Sequence, residues 1–185
     1  MILIVDMNCK KDSLGYFEFV LPIAAVVEPL DNWIVRHYLE VTSEDLSLCG
    51  AIILSGTPLM DKATLSQPEK FGWLKETEKA VLGICAGMET IGVVYGMSLT
   101  QCLEIGMTSI NVTKENPLFS AEFKAYSLHS ICLELTADFE VWAKSALCVQ
   151  VIKHKRKNIC GTLFHPEVRN QEIIKKFIEN QINRK

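Results

Sequence analysis

Three residue types that together can perform acyl transfer stand at two places in this sequence. The first place is Gly83-Ile84-Cys85-Ala86-Gly87, which lies between an apolar run, Ala80 to Leu82, and a segment with helical spacing. This strand, turn and helix pattern is typical of a nucleophile elbow, in which the flanking glycines permit a sharp turn. It predicts an exposed Cys85 thiol at the amino end of a helix, where the helix dipole favours the thiolate.

The second place is Leu163-Phe164-His165-Pro166-Glu167, at the end of a predicted strand. Residues i and i+2 of an extended segment project to the same side, so His165 and Glu167 can form a hydrogen bond. The carboxylate would fix the tautomer of the imidazole and leave its other nitrogen facing a nucleophile. Cys85, His165 and Glu167 then fit the roles of nucleophile, base and orienting carboxylate. The alternative for Cys85 is a buried thiol that packs as a small apolar side chain.

The elements that must position these residues alternate between strand and helix in the amino half. Apolar runs at residues 2–6, 33–41 and 51–54 predict strands, with helices between them and a kink or break at Pro22. This alternation predicts an α/β fold with a doubly wound, mostly parallel, flavodoxin-like sheet. Ser55-Gly56-Thr57-Pro58 follows the third strand, at the sheet edge where such folds build their sites.

The carboxyl half has a different character. Short β-branched segments at residues 109–113, 123–128, 140–144, 148–153 and 158–164 predict a β-rich, partly antiparallel elaboration. A final helix is expected to begin near Asn170, which is a plausible cap. No repeat or linker interrupts the 185 residues, of which 49% are apolar, so residues 1–185 are predicted to form a single domain.

Composition narrows the possible partners and ligands. The net charge of −3 argues against a nucleic-acid partner held by a broad basic surface. No apolar run is long enough to cross a membrane, and the strand-like opening does not resemble a signal peptide, so a cytoplasmic location is expected. The seven cysteines are odd in number and include no C-x-x-C pair, and the four histidines lack short ligand spacing. Neither a disulfide framework nor a metal site is expected, and no cofactor is predicted.

The motifs Ser55 to Pro58, Gly83 to Gly87 and His165-Pro166-Glu167, in this order over nearly the whole chain, resemble those of the class I glutamine amidotransferases. Within that family the carboxyl half most resembles the separate glutaminase subunits of archaeal GMP synthases. Three stretches carry this second likeness: Lys114 to Phe119, Gln150 to Lys155 and Gly161 to Val168.

The resemblance implies a substrate and roles for further residues. Cys85 would attack the side-chain amide of glutamine, giving a γ-glutamyl thioester and ammonia. The backbone amides of Thr57 and Ala86 would form the oxyanion hole. Further residues are implied to bind the substrate: Gly56, Glu89, His129, Ser130 and Ile131.

Three positions depart from the family pattern. Glu89 stands where the family has glutamine, and an ionised carboxylate cannot donate a hydrogen bond and disfavours a nearby thiolate, so weak glutaminase activity is expected. The alternative is that Glu89 faces solvent near the start of its helix. Thr57 stands where the family commonly has glycine. Its side chain restricts the backbone, so the amide of the oxyanion hole is expected to be misaimed. Ile131 stands where GMP synthases usually have aspartate, and His129 is equally interpretable as a packing residue.

The sequence contains no G-x-x-x-x-G-K-[ST] loop for ATP, so a synthetase on a separate chain is the expected partner. The expected function is a glutaminase that supplies ammonia to this partner, and two alternatives remain. One is a catalytically silent regulatory subunit, and the other is a γ-glutamyl peptidase-type cysteine hydrolase.

Overall fold

The computed structural model describes residues 1–182. Its strands are β1 (Ile2–Asp6), β2 (Trp33–His37), β3 (Ala51–Leu54), β4 (Ala80–Ile84), β5 (Ser98–Val112), β6 (Phe123–Glu134), β7 (Phe139–Lys144), β8 (Val149–His154) and β9 (Ile159–Thr162). Its α-helices are α1 (Leu21–Val27), α2 (Ser43–Leu48), α3 (Trp73–Glu76), α4 (Ala86–Val94) and α5 (Glu172–Ile182). The strands form one sheet in the order β2-β1-β3-β4-β9-β8-β7-β5-β6.

The first five strands of that order form the parallel part of the sheet. Strand β1 pairs with β2 and β3, and β4 pairs with β3 and β9, all in parallel. Ile4 and Ile53 pack on one face with α1 and α5, whereas Leu3 and Val5 pack on the other face with α3 and α4. Because both faces are covered, the central strands β1, β3 and β4 are almost entirely apolar. The predicted doubly wound parallel sheet is confirmed in this part, where its strand order is roughly flavodoxin-like, and the antiparallel strands make the whole sheet mixed.

The remaining pairs, β9 with β8, β8 with β7, β7 with β5 and β5 with β6, are antiparallel. The predicted β-rich elaboration is therefore present, but its β5–β6 hairpin is much longer than the predicted segments. A bulge between Gln101 and Glu104 interrupts the pairing, which obscures the alternation on which the prediction depended. Only two residue pairs, Asn111 with Lys144 and Val112 with Ala143, connect β5 to β7 among the described residues.

Three local expectations are corrected. Pro22 does not break α1, because it lies in the first turn of that helix, where proline is tolerated; a π-helical turn, Tyr16–Val20, precedes it. Strand β2 ends at His37 rather than residue 41. Asn170 does not cap α5, since the helix begins at Glu172 and the Asn170 Oδ1 atom accepts no hydrogen bond from a described residue.

Within residues 1–182, no helix combines the length and the apolar character that a membrane span requires.

Candidate active site

The turn after β4 has the geometry of a nucleophile elbow. Cys85 adopts φ 47° and ψ −105°, a conformation that is strained for a residue with a side chain. Its N–H donates to the Thr162 carbonyl at 2.8 Å, and its carbonyl accepts from Glu89 N–H at 2.9 Å. The turn therefore fastens Cys85 between strand β9 and the first turn of α4.

Both glycines that flank Cys85 are required by close packing. A Cβ atom on Gly83 would lie 2.6 Å from the carbonyl carbon of Gly87, and one on Gly87 would lie 2.6 Å from the Leu54 oxygen. Any side chain at either position would push α4 away from the sheet. The glycines thus let the helix start directly against strands β3 and β4.

His165 and Glu167 form the predicted pair. Nδ1 of His165 lies 2.7 Å from Oε1 of Glu167, and both side chains are fully buried. Burial by itself would lower the pKa of the His165 imidazole, but Glu167 and then Cys85 outweigh burial and hold that pKa well above its usual 6.5. The pair is arranged to stabilise an imidazolium facing the thiol.

Cys85 is buried, with 4% of its surface exposed, so the prediction of an exposed thiol is wrong. Strand β6 accounts for the difference: the Leu128 carbonyl accepts from Sγ of Cys85 at 3.5 Å, and the Tyr126 carbonyl accepts from the backbone N–H of His165 at 2.8 Å. The Phe19 ring packs 5.4 Å from the His165 ring. Nε2 of His165 makes no hydrogen bond with any residue from 1 to 182. A reaction at Cys85 would therefore require the segments that cover the thiol to admit a substrate.

The backbone amides implied as an oxyanion hole lie at the ends of two elements. Ala86 is the first residue of α4, and the first N–H groups of a helix have no partner within the helix. Thr57 is buried, and its hydroxyl donates to the Asp61 carbonyl at 3.1 Å. Among described non-glycine residues only Asp12 and Cys85 have positive φ, so Thr57 adopts a backbone conformation that is open to residues with a side chain, and the misaiming of its amide stays a prediction.

Glu89 is fully buried, so its alternative interpretation as a solvent-facing residue is wrong. Its Oε2 atom accepts from Lys62 Nζ at 3.4 Å, whereas Oε1 accepts no hydrogen bond from a described residue. Burial raises the pKa of the Glu89 carboxyl, and Lys62 only partly opposes this effect. The sequence analysis missed Lys62. A buried carboxylate indicates that a positively charged side chain lies nearby, but the sequence does not identify that side chain.

The resemblance implies that His129, Ser130 and Ile131 bind the substrate, and this role stays a prediction. The His129 ring is fully buried, with Nε2 3.1 Å from Oε2 of Glu104, and burial lowers its pKa. Ser130 and Ile131 line a surface cavity of about 580 Å³ together with residues of β5. The neighbouring residue that does contact the thiol is Leu128, through its backbone.

Two overlapping groups of described side chains could hold a metal ion. One is Cys102, Cys132 and Cys148, and the other is Glu104, His129 and Cys148; the ligand atoms of each group lie within 4.8 Å of one another. Burial raises the pKa of Cys132 and raises that of Cys148 to about 12. The sequence analysis missed this cluster because its cysteines are far apart in the chain and follow no ligand spacing.

The profile of the glutamine amidotransferase class-I family matches residues 27–184. The chain belongs to this family. It is 41% identical over 128 residues to a protein from Methanococcus maripaludis that is named as a glutamine-hydrolysing GMP synthase subunit, a match that spans 65% of this chain and 66% of that relative. The protein of the same name from Picrophilus torridus is 33% identical over 165 residues, 81% of this chain and 85% of the relative.

Solved structures confirm the fold of this amidotransferase chain. A protein from Thermoplasma acidophilum, described as a GMP synthase subunit, superimposes with a TM-score of 0.84 at 24% identity, covering 100% of this chain and 95% of the other. A glutamine amidotransferase from Thermotoga maritima gives a TM-score of 0.69 at 19% identity, covering 100% and 83%. The mixed α/β architecture is therefore that of the glutamine amidotransferases.

Proposed function

We propose that this chain hydrolyses the side-chain amide of glutamine through Cys85 and delivers ammonia to a separate synthetase subunit, as in GMP synthesis. The observation that carries the proposal is the 2.7 Å contact between His165 and Glu167 beside a cysteine on a strained elbow. The family match adds the substrate class, and the names of the relatives add glutamine hydrolysis and a place within GMP synthase.

The proposed chemistry uses each of the three side chains. The Cys85 thiolate attacks the amide carbon of glutamine, and the tetrahedral oxyanion accepts hydrogen bonds from the backbone N–H groups of Thr57 and Ala86. The His165 imidazolium donates its proton to the leaving nitrogen, so ammonia departs and a γ-glutamyl thioester remains. Water, deprotonated by His165, then attacks the thioester and releases glutamate. Glu167 keeps the imidazole oriented throughout.

A surface beside the candidate site supports docking of the synthetase. Leu103, Ile105 and Met107 project to one side of β5 and are 60%, 61% and 49% exposed; these three residues form the β5 apolar face. Ile105 pairs with Leu128 and Met107 pairs with Tyr126, the two β6 residues whose carbonyls contact Cys85 and His165. A synthetase bound to this face would touch the segment that covers the thiol, and would thereby couple docking to opening.

The proposal is tested by measuring glutamate release from glutamine, with and without an ATP-dependent GMP synthase subunit. We expect slow release by the chain alone, faster release with the partner, and a covalent adduct at Cys85 after treatment with diazo-oxo-norleucine. Cys85→Ser should lose the adduct and at least about 1,000-fold of the activity. The matched control Cys49→Ser, which alters a buried thiol in the other core layer, should retain both.

A catalytically silent regulatory subunit is the second candidate, and the buried Glu89 one turn after Cys85 favours it. It predicts no adduct and no glutamate release even with the partner present. A γ-glutamyl peptidase-type hydrolase would instead form the adduct but turn over γ-glutamyl peptides faster than glutamine. The same trapping and turnover measurements therefore separate all three functions.

A further inference from the structure

A cluster of thiols lies outside the candidate active site, where three segments of the chain meet. Cys102 lies in the bulge of β5, Cys132 lies on β6, and Cys148 ends the turn between β7 and β8. The three sulfur atoms lie within 4.8 Å of one another, and all three residues line a surface cavity of about 720 Å³. The cluster is thus compact and reachable from solvent.

We propose that Cys102, Cys132 and Cys148 bind a thiophilic divalent cation, namely zinc. Thiolates are preferred zinc ligands, and a tetrahedral zinc with bonds of about 2.3 Å to sulfur separates its sulfur ligands by about 3.8 Å. The sulfur atoms need to move by about 1 Å at most to reach this arrangement. The proposal does not depend on glutaminase activity.

Glu104 supplies the fourth ligand. Its Oε2 atom lies 3.6 Å from Sγ of Cys148, and the residue is largely buried. Gln150 Nε2 donates to this oxygen at 2.6 Å, and Ser145 Oγ donates at 3.1 Å. His129 Nε2 lies 3.1 Å from the same oxygen. This is the second layer of hydrogen bonds that typically orients a metal ligand, and it surrounds a carboxylate with no lysine or arginine in the contacts described.

The cation would add bonds to a region of the sheet where strand pairing is sparse. Only the pairs Asn111–Lys144 and Val112–Ala143 link β5 to β7 within residues 1–182, and they lie at the far end of β5 from the bulge. A bond from Cys148 through zinc to Cys102 and Cys132 would fasten the β5–β6 hairpin to the β7–β8 turn. Binding should therefore stabilise the fold.

The test uses tag-free protein with all its cysteines reduced. We expect one equivalent of zinc by mass spectrometry of the metal, and thiolate-to-cobalt charge-transfer absorption when cobalt replaces zinc. Zinc at a hundredfold excess over its dissociation constant should raise the melting temperature by roughly 4 °C or more. Cys132→Ser and Cys148→Ser should weaken binding at least tenfold, and Glu104→Gln should weaken it while leaving the charge-transfer band. Cys49→Ser is the matched control and should bind as the unaltered protein does.

The proposal is overturned if the unaltered, reduced protein shows no thiolate-to-cobalt band at micromolar cobalt, whatever the variants do. It is also overturned if binding survives unchanged in Cys132→Ser, since an adventitious site would then hold the metal. A third contrary result is a mass lower by two hydrogens with a Cys102–Cys132 or Cys132–Cys148 peptide link after purification under reducing conditions, because the cluster would then be a disulfide site.

Discussion

Glu89 is a buried carboxylate one helical turn from the candidate nucleophile, and it pairs with the partly exposed Lys62. The family residue at this position is an amide, which can donate as well as accept hydrogen bonds, whereas an ionised carboxylate only accepts. Oε1 of Glu89 has no partner among the described residues, and the carboxylate is close enough to the His165 imidazole to interact with its charge. A single substitution at Glu89 is therefore expected to raise the glutaminase rate.

Glu89→Gln is expected to raise the rate of glutamate release by the isolated chain. The substitution removes a negative charge that disfavours the Cys85 thiolate and restores a donor toward the substrate. Lys62→Met is the companion variant, since it leaves the carboxylate in place but removes its counter-charge, and it should lower the rate. If Glu89→Gln leaves turnover unchanged or reduces it, this account of Glu89 is wrong.

The same substitution should change stability in a pH-dependent way. Burial raises the folded-state pKa of Glu89 above its ordinary 4.5, so the native state binds this proton more tightly than the unfolded chain. The stabilisation from the protonated carboxyl is complete below pH 4.5 and is lost as the pH rises through the folded-state pKa. Glu89→Gln should therefore melt at a higher temperature than the unaltered protein near neutral pH, with a difference that shrinks toward about pH 4. A difference that is independent of pH would contradict the burial argument.

Glu167→Gln tests the charge on the imidazole. Glu167 and Cys85 together raise the pKa of His165, and an amide at position 167 keeps the size of the side chain but removes one of these charges. We expect the His165 pKa to fall, and the glutaminase kcat/KM to drop on the order of 100- to 10,000-fold. The pKa is measured from the imidazole carbon-bound proton by NMR titration. An unshifted His165 titration would show that Glu167 does not set its charge.

At the scale of the elements, the loop after β3 and the loop after β9 pack tightly against each other. A Cβ atom on Gly56 would lie 2.6 Å from Cε1 of His165 and 3.3 Å from the Phe19 ring. The resemblance implies that Gly56 contacts the substrate. Its packing gives a second reason for glycine here, because the His165 imidazole occupies the space that a side chain would need. The two loops therefore position the base jointly.

Gly56→Ala should displace the His165 ring and lower glutamate release by at least about tenfold, because a misplacement of about 1 Å can cost on the order of 100-fold in rate. Gly72→Ala is the matched control: its nearest neighbour is the Glu69 carbonyl at 3.6 Å, and its backbone has φ −53°. That variant should fold and react normally. Equal activity of the two variants would mean that the loop around Gly56 shifts to accommodate a Cβ atom without displacing His165.

At the scale of the whole molecule, the long β5–β6 hairpin connects three regions. One side of it carries the β5 apolar face, its β6 backbone contacts Cys85 and His165, and its bulge holds part of the thiol cluster. A partner or an ion that acts on the hairpin would reach the candidate site through a single pair of strands. This arrangement gives the proposed synthetase a physical route for controlling ammonia release.

Ile105→Lys combined with Met107→Lys should leave basal glutamate release unchanged and reduce its stimulation by the synthetase at least about tenfold. Burying two ammonium groups in an apolar interface is unfavourable, so docking should weaken. Leu48→Lys, which changes an equally exposed apolar residue at the end of α2, is the control and should leave stimulation intact. Normal stimulation of the double variant would place the docking surface elsewhere.

The sequence correctly predicted the structural features that depend on residues close together in the chain. The apolar runs predicted the parallel strands β1, β2 and β3. The spacing in His165-Pro166-Glu167 predicted a contact that the structure forms at 2.7 Å. The length of the hairpin was missed because a bulge and an exposed apolar row break the alternation on which strand prediction depends.

The sequence by itself determined the elbow, the histidine–carboxylate pair and the order of strands and helices, because each follows from spacing over a few residues. Only the tertiary structure decided that Leu128 covers the Cys85 thiol, 43 residues away, and that Lys62 pairs with Glu89 across 27 residues. It also decided that Cys102, Cys132 and Cys148 meet. These contacts join residues that are distant in the sequence, and two of the three depend on how the β5–β6 hairpin folds across the end of the sheet. Local residue patterns carry no information about such paths.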